Sequence, residues 1–213
     1  MSANLVIFLA IVALTGVFFY LRHKRAQDPA ALKAKTAKAA AEARAAAPRP
    51  ARPAEPPEAV FAKLRKRAFE TTPESLRMAG SLGEDEPYAV VMEIGMSSVV
   101  TLACFADGDA SLVYQSGGGM VGGIGHESVR KASKEFIALS HTAVPLMAPA
   151  TIQPLPAVPE TGQVQFFALT PKGALSVEMN REDLEEHQEL KALYQSGQEV
   201  VTHMRKVQEQ RRA

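Results

Sequence analysis

The chain has 213 residues, 46% of them hydrophobic and 22% charged, with one cysteine and a formal net charge of +1. A single cysteine excludes an internal disulfide and any multi-cysteine metal site. The near-neutral total conceals two opposed parts: residues 22–52 hold nine Lys or Arg against two acids (+7), and residues 53–213 hold fifteen against twenty-one (−6). An acidic folded part is repelled by phosphate backbones, so it is not expected to bind nucleic acid.

Leu5 to Leu21 (LVIFLAIVALTGVFFYL) is a run of 17 uncharged residues, and Arg22, His23, Lys24 and Arg25 follow at once. As a helix this run reaches the short end of what spans the roughly 30 Å hydrocarbon core of a bilayer. A helix suits lipid because it satisfies its own backbone hydrogen bonds. A cleaved signal peptide would carry its bases before the apolar run and small residues after it. Here no base precedes the run, and Phe18, Phe19 and Tyr20 stand where small residues would be needed. The sequence therefore predicts an uncleaved single-pass anchor over residues 1–21 in a bacterial inner membrane. Arg22, Lys24 and Arg25 form the cytoplasmic flank, which puts the N-terminus outside and residues 22–213 in the cytoplasm.

Residues 22–57 read as a linker. The stretch 26–47 is rich in Ala and Lys, both strong helix formers, but has no apolar stripe to bury. Pro48, Pro50, Pro53, Pro56 and Pro57 then favour extended chain. Together they reach about 60 Å at most. Bases close to an anionic surface each add on the order of 1 kcal/mol of attraction.

Residues 58–213 are predicted to form one cytoplasmic α+β domain. Glu58 to Phe69 reads as a short helix with Val60, Phe61, Leu64 and Phe69 on its apolar side, followed by a loop over residues 70–87. Tyr88 to Ile94 alternates, with Tyr88, Val90, Met92 and Ile94 on one face. Val99 to Phe105 and Ser111 to Gln115 follow as strands, and Asp107-Gly108-Asp109 between them is a strong hairpin signal. A glycine-rich stretch, Ser116 to Gly125, leads to a helix over His126 to His141 with Val129, Ala132, Phe136, Ile137 and Leu139 inward. A proline-rich connection runs from Pro145 to Pro159. Val164 to Leu169 and Ala174 to Met179 form a second hairpin about Pro171-Lys172-Gly173. Asn180 then caps a final helix reaching about Gln210, with a break at Ser196-Gly197 as one option. The expected fold is a roughly five-stranded antiparallel sheet, a three-strand meander plus a hairpin, with covering helices. Profilin-like and roadblock-like sensor domains share this layout, a resemblance of fold that implies no activity.

Gly117, Gly119 and Gly122 fit G-x-G-x-x-G ahead of a helix that begins with His126, Glu127 and Ser128. Glycines let backbone N–H groups approach a phosphate, and a helix N-terminus adds partial positive charge. The dinucleotide fingerprint, however, belongs to a parallel βαβ unit with an acid about 20 residues on. Here the strands before it are antiparallel, and residues 136–159 contain no acid. Gly117, Gly119, Gly122, His126 and Ser128 are thus the candidate ligand-binding set, against the reading of a structural loop. Neighbouring helix residues point apart, so His126, Glu127 and Ser128 make no catalytic cluster. The other histidines lack metal-site spacing. No enzyme activity, metal or cofactor is expected.

Leu190, Leu193, Gly197, Val200, Met204 and Val207 recur at steps of three and four. This is too short for a secure coiled coil; packing on a sheet is the expected cause, and a homodimer through the helix is the alternative. The succession of anchor, charged spacer, Pro-rich linker and small domain resembles the bitopic tethers of bacterial cell division in arrangement. That resemblance implies a scaffold that holds an unidentified cytoplasmic protein at the inner membrane. The competing expectation is a membrane-anchored sensor that binds a small anion or nucleotide at residues 117–125.

Overall fold

A computed structural model describes residues 55–211. The anchor, its basic flank and nearly all of the linker lie outside the described residues. Among the described residues no helix is long and apolar enough to cross a membrane. The fold is α+β: seven antiparallel strands and three α-helices.

Strands β1 (Ala89–Ile94), β2 (Val100–Phe105), β3 (Ala110–Tyr114) and β4 (Gly119–Val121) form a meander to one side of β1. On its other side lie β6 (Gln163–Thr170) and β7 (Gly173–Asn180), with β5 (Ala148–Ala150) at the far edge, so the order is β4-β3-β2-β1-β6-β7-β5. The expected five strands are present, and β4 and β5 are two more that the sequence did not announce. At the β2–β3 turn, Asp107 Oδ1 accepts the Asp109 N–H at 2.9 Å, and Gly108 takes a φ of 96°. The glycine-rich stretch is not one strand-to-helix loop. It makes a tight β3–β4 hairpin and contributes the whole of β4.

Helices α2 (Glu127–Ala143) and α3 (Gln188–Gln210) cover one face of the sheet. Val90, Met92 and Ile94 of β1 point to them, together with Leu102, Leu112 and Phe166 from the neighbouring strands. On α2 the buried residues Val129, Ala132, Phe136, Ile137 and Ser140 follow the helical repeat. The α3 stripe from Leu190 to Val207 is likewise buried on the sheet, and the helix does not break at Gly197. A Cβ there would lie 2.6 Å from Met92 Cε and 3.1 Å from Phe136 Cε2, so the glycine allows close approach. Asn180 ends β7 instead of capping α3. Its Nδ2 donates to Asp183 Oδ2 at 3.0 Å, and a 3₁₀ turn (Asp183–Glu186) intervenes before the helix.

The opposite face is covered differently. Helix α1 (Pro57–Phe69) crosses the strands: Phe61 packs with Val113 of β3, and Phe69 meets Phe167 of β6 edge-on at 4.9 Å between ring centroids. A strap, residues 150–159, runs over the β6–β7 side, where Ile152 and Leu155 pack on the second apolar cluster. With both faces covered, every residue of β1 and β2 is buried. Tyr88 departs from the expected alternation. It precedes the strand, joins the α1-side cluster, and donates its hydroxyl to the Thr71 carbonyl at 3.1 Å.

Between α1 and the sheet lies an ion pair. Arg65 Nε and Nη2 each donate to one oxygen of Glu93 at 2.7 Å, with side chains 6% and 0% exposed. Thr101 Oγ1 donates to Glu93 Oε1 at 2.7 Å. Arg65 Nη1 donates to the Pro156 carbonyl at 2.8 Å, and Nη2 also reaches the Ala157 carbonyl at 3.4 Å. The guanidinium sits 5.3 Å from the Phe69 ring centroid. Removing one partner strands the other charge in the core, at a cost of about 3–5 kcal/mol, whereas replacing both with apolar residues of similar volume costs far less. Chemical denaturation should therefore show Arg65→Met and Glu93→Leu each more destabilising than the double variant. A double variant as unstable as the sum of the two would contradict a coupled buried pair.

Glycine 119 supplies a second test. Its φ is 137°, and a Cβ there would lie 2.2 Å from the Leu112 carbonyl oxygen. Gly118 has a φ of 83° with nothing within 4 Å. Gly118→Ala should cost about 1 kcal/mol for the left-handed backbone alone. Gly119→Ala should cost about 3 kcal/mol, since strain and a backbone clash combine. Equal losses in thermal unfolding would show that the β3–β4 approach is looser than described.

Candidate binding groove

Helix α1 leaves part of its own face of the sheet uncovered. Beside it, over β2, β3 and β4, runs a groove of about 520 Å³. Ala103, Ser111, Val113 and Val121 contribute from the strands, and Leu64 and Ala68 from the helix. Val121 is 49% exposed. Glu70, Asp107 and Asp109 bring acids to the lining, and Arg67 brings one base. The surface is mixed: an apolar floor with a mostly acidic margin.

Two polar groups of the lining are already engaged within the fold. Asp109 Oδ1 already accepts from the Ala110 N–H at 2.8 Å and the Ile124 N–H at 3.0 Å, and the Asp109 carbonyl accepts from Ser133 Oγ at 2.9 Å. The last two bonds tie the β2–β3 turn to the 3₁₀ turn before α2 and to the middle of α2. Thr101 is committed to Glu93. Among the described residues no group of three or more His, Cys, Asp or Glu is placed to hold a metal ion.

The candidate set from the sequence lies elsewhere. Gly117 sits in the β3–β4 turn, its N–H donating to the Tyr114 carbonyl at 2.9 Å and its Cα facing Pro57. Gly119 is in β4, and its carbonyl accepts from Gln208 Nε2 of α3 at 3.4 Å. Gly122, with a φ of 79°, turns the chain off the sheet into a 3₁₀ turn. His126 precedes α2, and its Nε2 lies 2.8 Å from Arg211 Nη2. Ser128 is exposed in the first turn of α2. Neither the groove nor three other cavities among the described residues are lined by any of these five residues. Arg22, Lys24 and Arg25 lie outside the described residues.

Cys104 is buried on the helix-covered face and free. Burial pushes its thiol up to about 12; a hydrogen bond with Ser133 opposes the rise, and the charge of Asp109 adds to it. The thiolate is thus scarce at neutral pH, and Cys104 behaves as a small core residue.

Comparison of the chain with known protein families, characterised proteins and solved structures found no match. The groove must therefore be read from its own chemistry.

The thiol gives a pH test. An unfolded thiol titrates near about 8.5, well below its folded value. The fold therefore favours the protonated form. Its contribution to stability is complete below the unfolded value and declines as pH rises through the alkaline range toward the folded one. Denaturation midpoints should fall above about pH 8.5, and Cys104→Ala should lessen that fall. Iodoacetamide should label Cys104 only after unfolding. Rapid labelling of the native protein at neutral pH would contradict the burial.

Proposed function

We propose that the chain is a non-enzymatic, single-pass membrane tether whose α+β domain binds a cytoplasmic protein through the groove beside α1. The observation that carries this reading is the strip of β2–β4 left open by a short helix, with Val121 half exposed on it. Apolar surface on a sheet face, rimmed by charge, is the chemistry of a protein-docking surface. The acidic margin favours a partner segment with bases flanking apolar residues. The run Leu5 to Leu21 with its basic flank supplies the anchor at the inner membrane, and the 22–57 linker gives the domain reach.

The test uses the full chain in its native membranes. A photoreactive benzoylphenylalanine replacing Val121 is expected to give a discrete protein adduct, lost when Leu64→Asp alters the wall. The same group replacing Lys134 on the exposed side of α2 is expected to give none. Equal adducts from both positions, or none from Val121, would remove the groove reading. Deleting Leu5 to Leu21 should release the chain from the membrane fraction. Sedimentation of that deleted form with membranes in high salt would remove the anchor reading.

A further inference from the structure

One edge of the sheet is only half covered. Strand β5 pairs with Ala174–Ser176 of β7, and Val177–Asn180 beyond them have no partner strand on that side. The neighbouring ladder fixes which backbone groups are free. On β6 the Gln163 and Leu169 carbonyls accept the Gly95 and Tyr88 N–H groups on the β1 side, so Val164 and Phe166 bond toward β7. Their partners Met179 and Val177 are thereby engaged, and Glu178 and Asn180 turn their N–H and C=O groups outward. Ala174 and Ser176, of the same parity, give theirs to β5, where Pro149 falls at the position that needs no N–H. Among the described residues no hydrogen bond uses the outward backbone groups of Glu178 or Asn180.

The side chains at this edge suit a second copy of the same strand. Glu178 is level with Gln165 and Glu93 and so lies on the α1 face, which Asn180, two residues on, shares. Both are exposed, and Glu178 borders a cavity of about 380 Å³ under the strap. Gln165 Nε2 donates to Glu178 Oε2, and the other carboxylate oxygen has no partner among the described residues. The Asn180 carboxamide gives one N–H to Asp183 Oδ2 at 3.0 Å and has a second to give. Laid antiparallel on itself, β7 has three registers that oppose outward residues. Glu178 against its own counterpart sets like charges face to face, and it leaves Asn180 opposite Ser176, which β5 already occupies. Asn180 against its own counterpart puts Glu178 opposite Glu182, a second acid, past the end of the strand. Glu178 against Asn180 pairs every outward backbone group and sets a carboxylate beside a carboxamide donor.

We infer that a second copy of this chain adds its β7 to the open edge, antiparallel about a twofold axis at Met179, with Glu178 of each copy opposite Asn180 of the other. The pairing is isologous, so it closes at a dimer. The Met179 side chains meet on the helix side of the joined sheet, in a pair without backbone bonds, where opposed Cα atoms lie about 4.5 Å apart. The seam is short, well below the roughly 1,200–2,000 Å² of a standard interface, and the dimer is weak and exchanging. The edge of β7 lies across β1 from the groove and stands whether or not the groove takes a partner.

Disulfide trapping of the purified full chain in neutral detergent tests it. Under copper–phenanthroline oxidation Met179→Cys should link to its counterpart, because this kind of pair brings the two Cβ atoms within disulfide reach. Val177→Cys shares the face but falls opposite Arg181 of the other copy, about 14 Å along the strand from its own counterpart, and should not link. Lys134→Cys, exposed on α2, measures chance collision, and buried Cys104 should give no adduct. Glu178→Pro removes an outward N–H and no bond to β6, so it should fold, as judged by protection of Cys104 from iodoacetamide. In that background the Met179→Cys adduct should fall to the level of Lys134→Cys. If the proline variant unfolds, Asn180→Asp decides, since it sets a second carboxylate opposite Glu178 and should lower the yield. Three results would overturn the inference: Met179→Cys linking no faster than Lys134→Cys, Val177→Cys linking as well as Met179→Cys, or undiminished trapping in the folded Glu178→Pro or Asn180→Asp variant. Repeated in native membranes, a Met179→Cys adduct to a different protein in place of the dimer would assign the edge to that protein's strand and likewise remove the second copy.

Discussion

The α1 face of this domain is organised by one buried ion pair, Arg65 with Glu93. Helix α1 has 13 residues and few core side chains, too little to fix its place by propensity or apolar contact alone. The guanidinium supplies the missing definition. It joins α1 to β1 through Glu93, to β2 through Thr101, and to the strap through the Pro156 and Ala157 carbonyls. Such a pair is weak evidence for added stability, since desolvation offsets most of the attraction. Its effect is geometric. The bidentate bond holds Arg65 of α1 over Glu93 of β1, and the guanidinium also lies against Phe69 of the same helix. Once that crossing is set, the groove over β2–β4 and the cavity under the strap are set with it. One is the strip the helix does not reach, and the other is the gap the strap bridges.

How much of this could be read beforehand depended on whether the signal was local. The Asp107-Gly108-Asp109 turn, the β6–β7 hairpin and the apolar stripe of α3 are periodic or short-range, and each formed where the pattern placed it. Strands β4 and β5 were missed because each has three residues, fewer than any periodicity can declare, and Gly119 and Pro149 disguise them as loop. Glu93 looked like the solvent side of an alternating strand, and Arg65 like one more charge in KLRKRAF. Only a second layer over the sheet makes both buried, and no spacing rule links positions 28 residues apart. The groove and the strap cavity are spaces between elements, so no single segment could announce them. The clue that was present is arithmetic: two sheet faces, but one long helix pair and one short helix to cover them.

The helix-covered face shows the opposite regime, in which apolar shape decides. Leu190, Leu193, Val200 and Met204 are all buried there, and the one residue without a side chain, Gly197, stands where Met92 and Phe136 press closest. A glycine within a helix costs up to about 1 kcal/mol against alanine, and here that cost is offset by letting α3 lie flat on β1 without displacing the Met92 thioether. The same stripe that suggested a dimer is occupied inside the domain. Any association through α3 would have to use its outer side, which carries Glu199, Lys206 and Glu209.

The two edges of the sheet are guarded unequally. An edge strand offers unpaired backbone groups to any passing strand, and proteins blunt that hazard with short edges and proline. Both edges here are three residues long. In β5, Pro149 has no N–H to offer. At β4, Gln208 of α3 reaches the Gly119 carbonyl, and Gly122 turns the chain away. β5 pairs only with Ala174–Ser176, however, so Val177–Asn180 of β7 have no partner strand on that side. The proposed groove is a different kind of surface, with Val121 and Leu64 bordering an open strip on the α1 face. A partner held at the proposed groove would be recognised by the shape and charge of its side chains, whereas one held at the open half of β7 would add a strand.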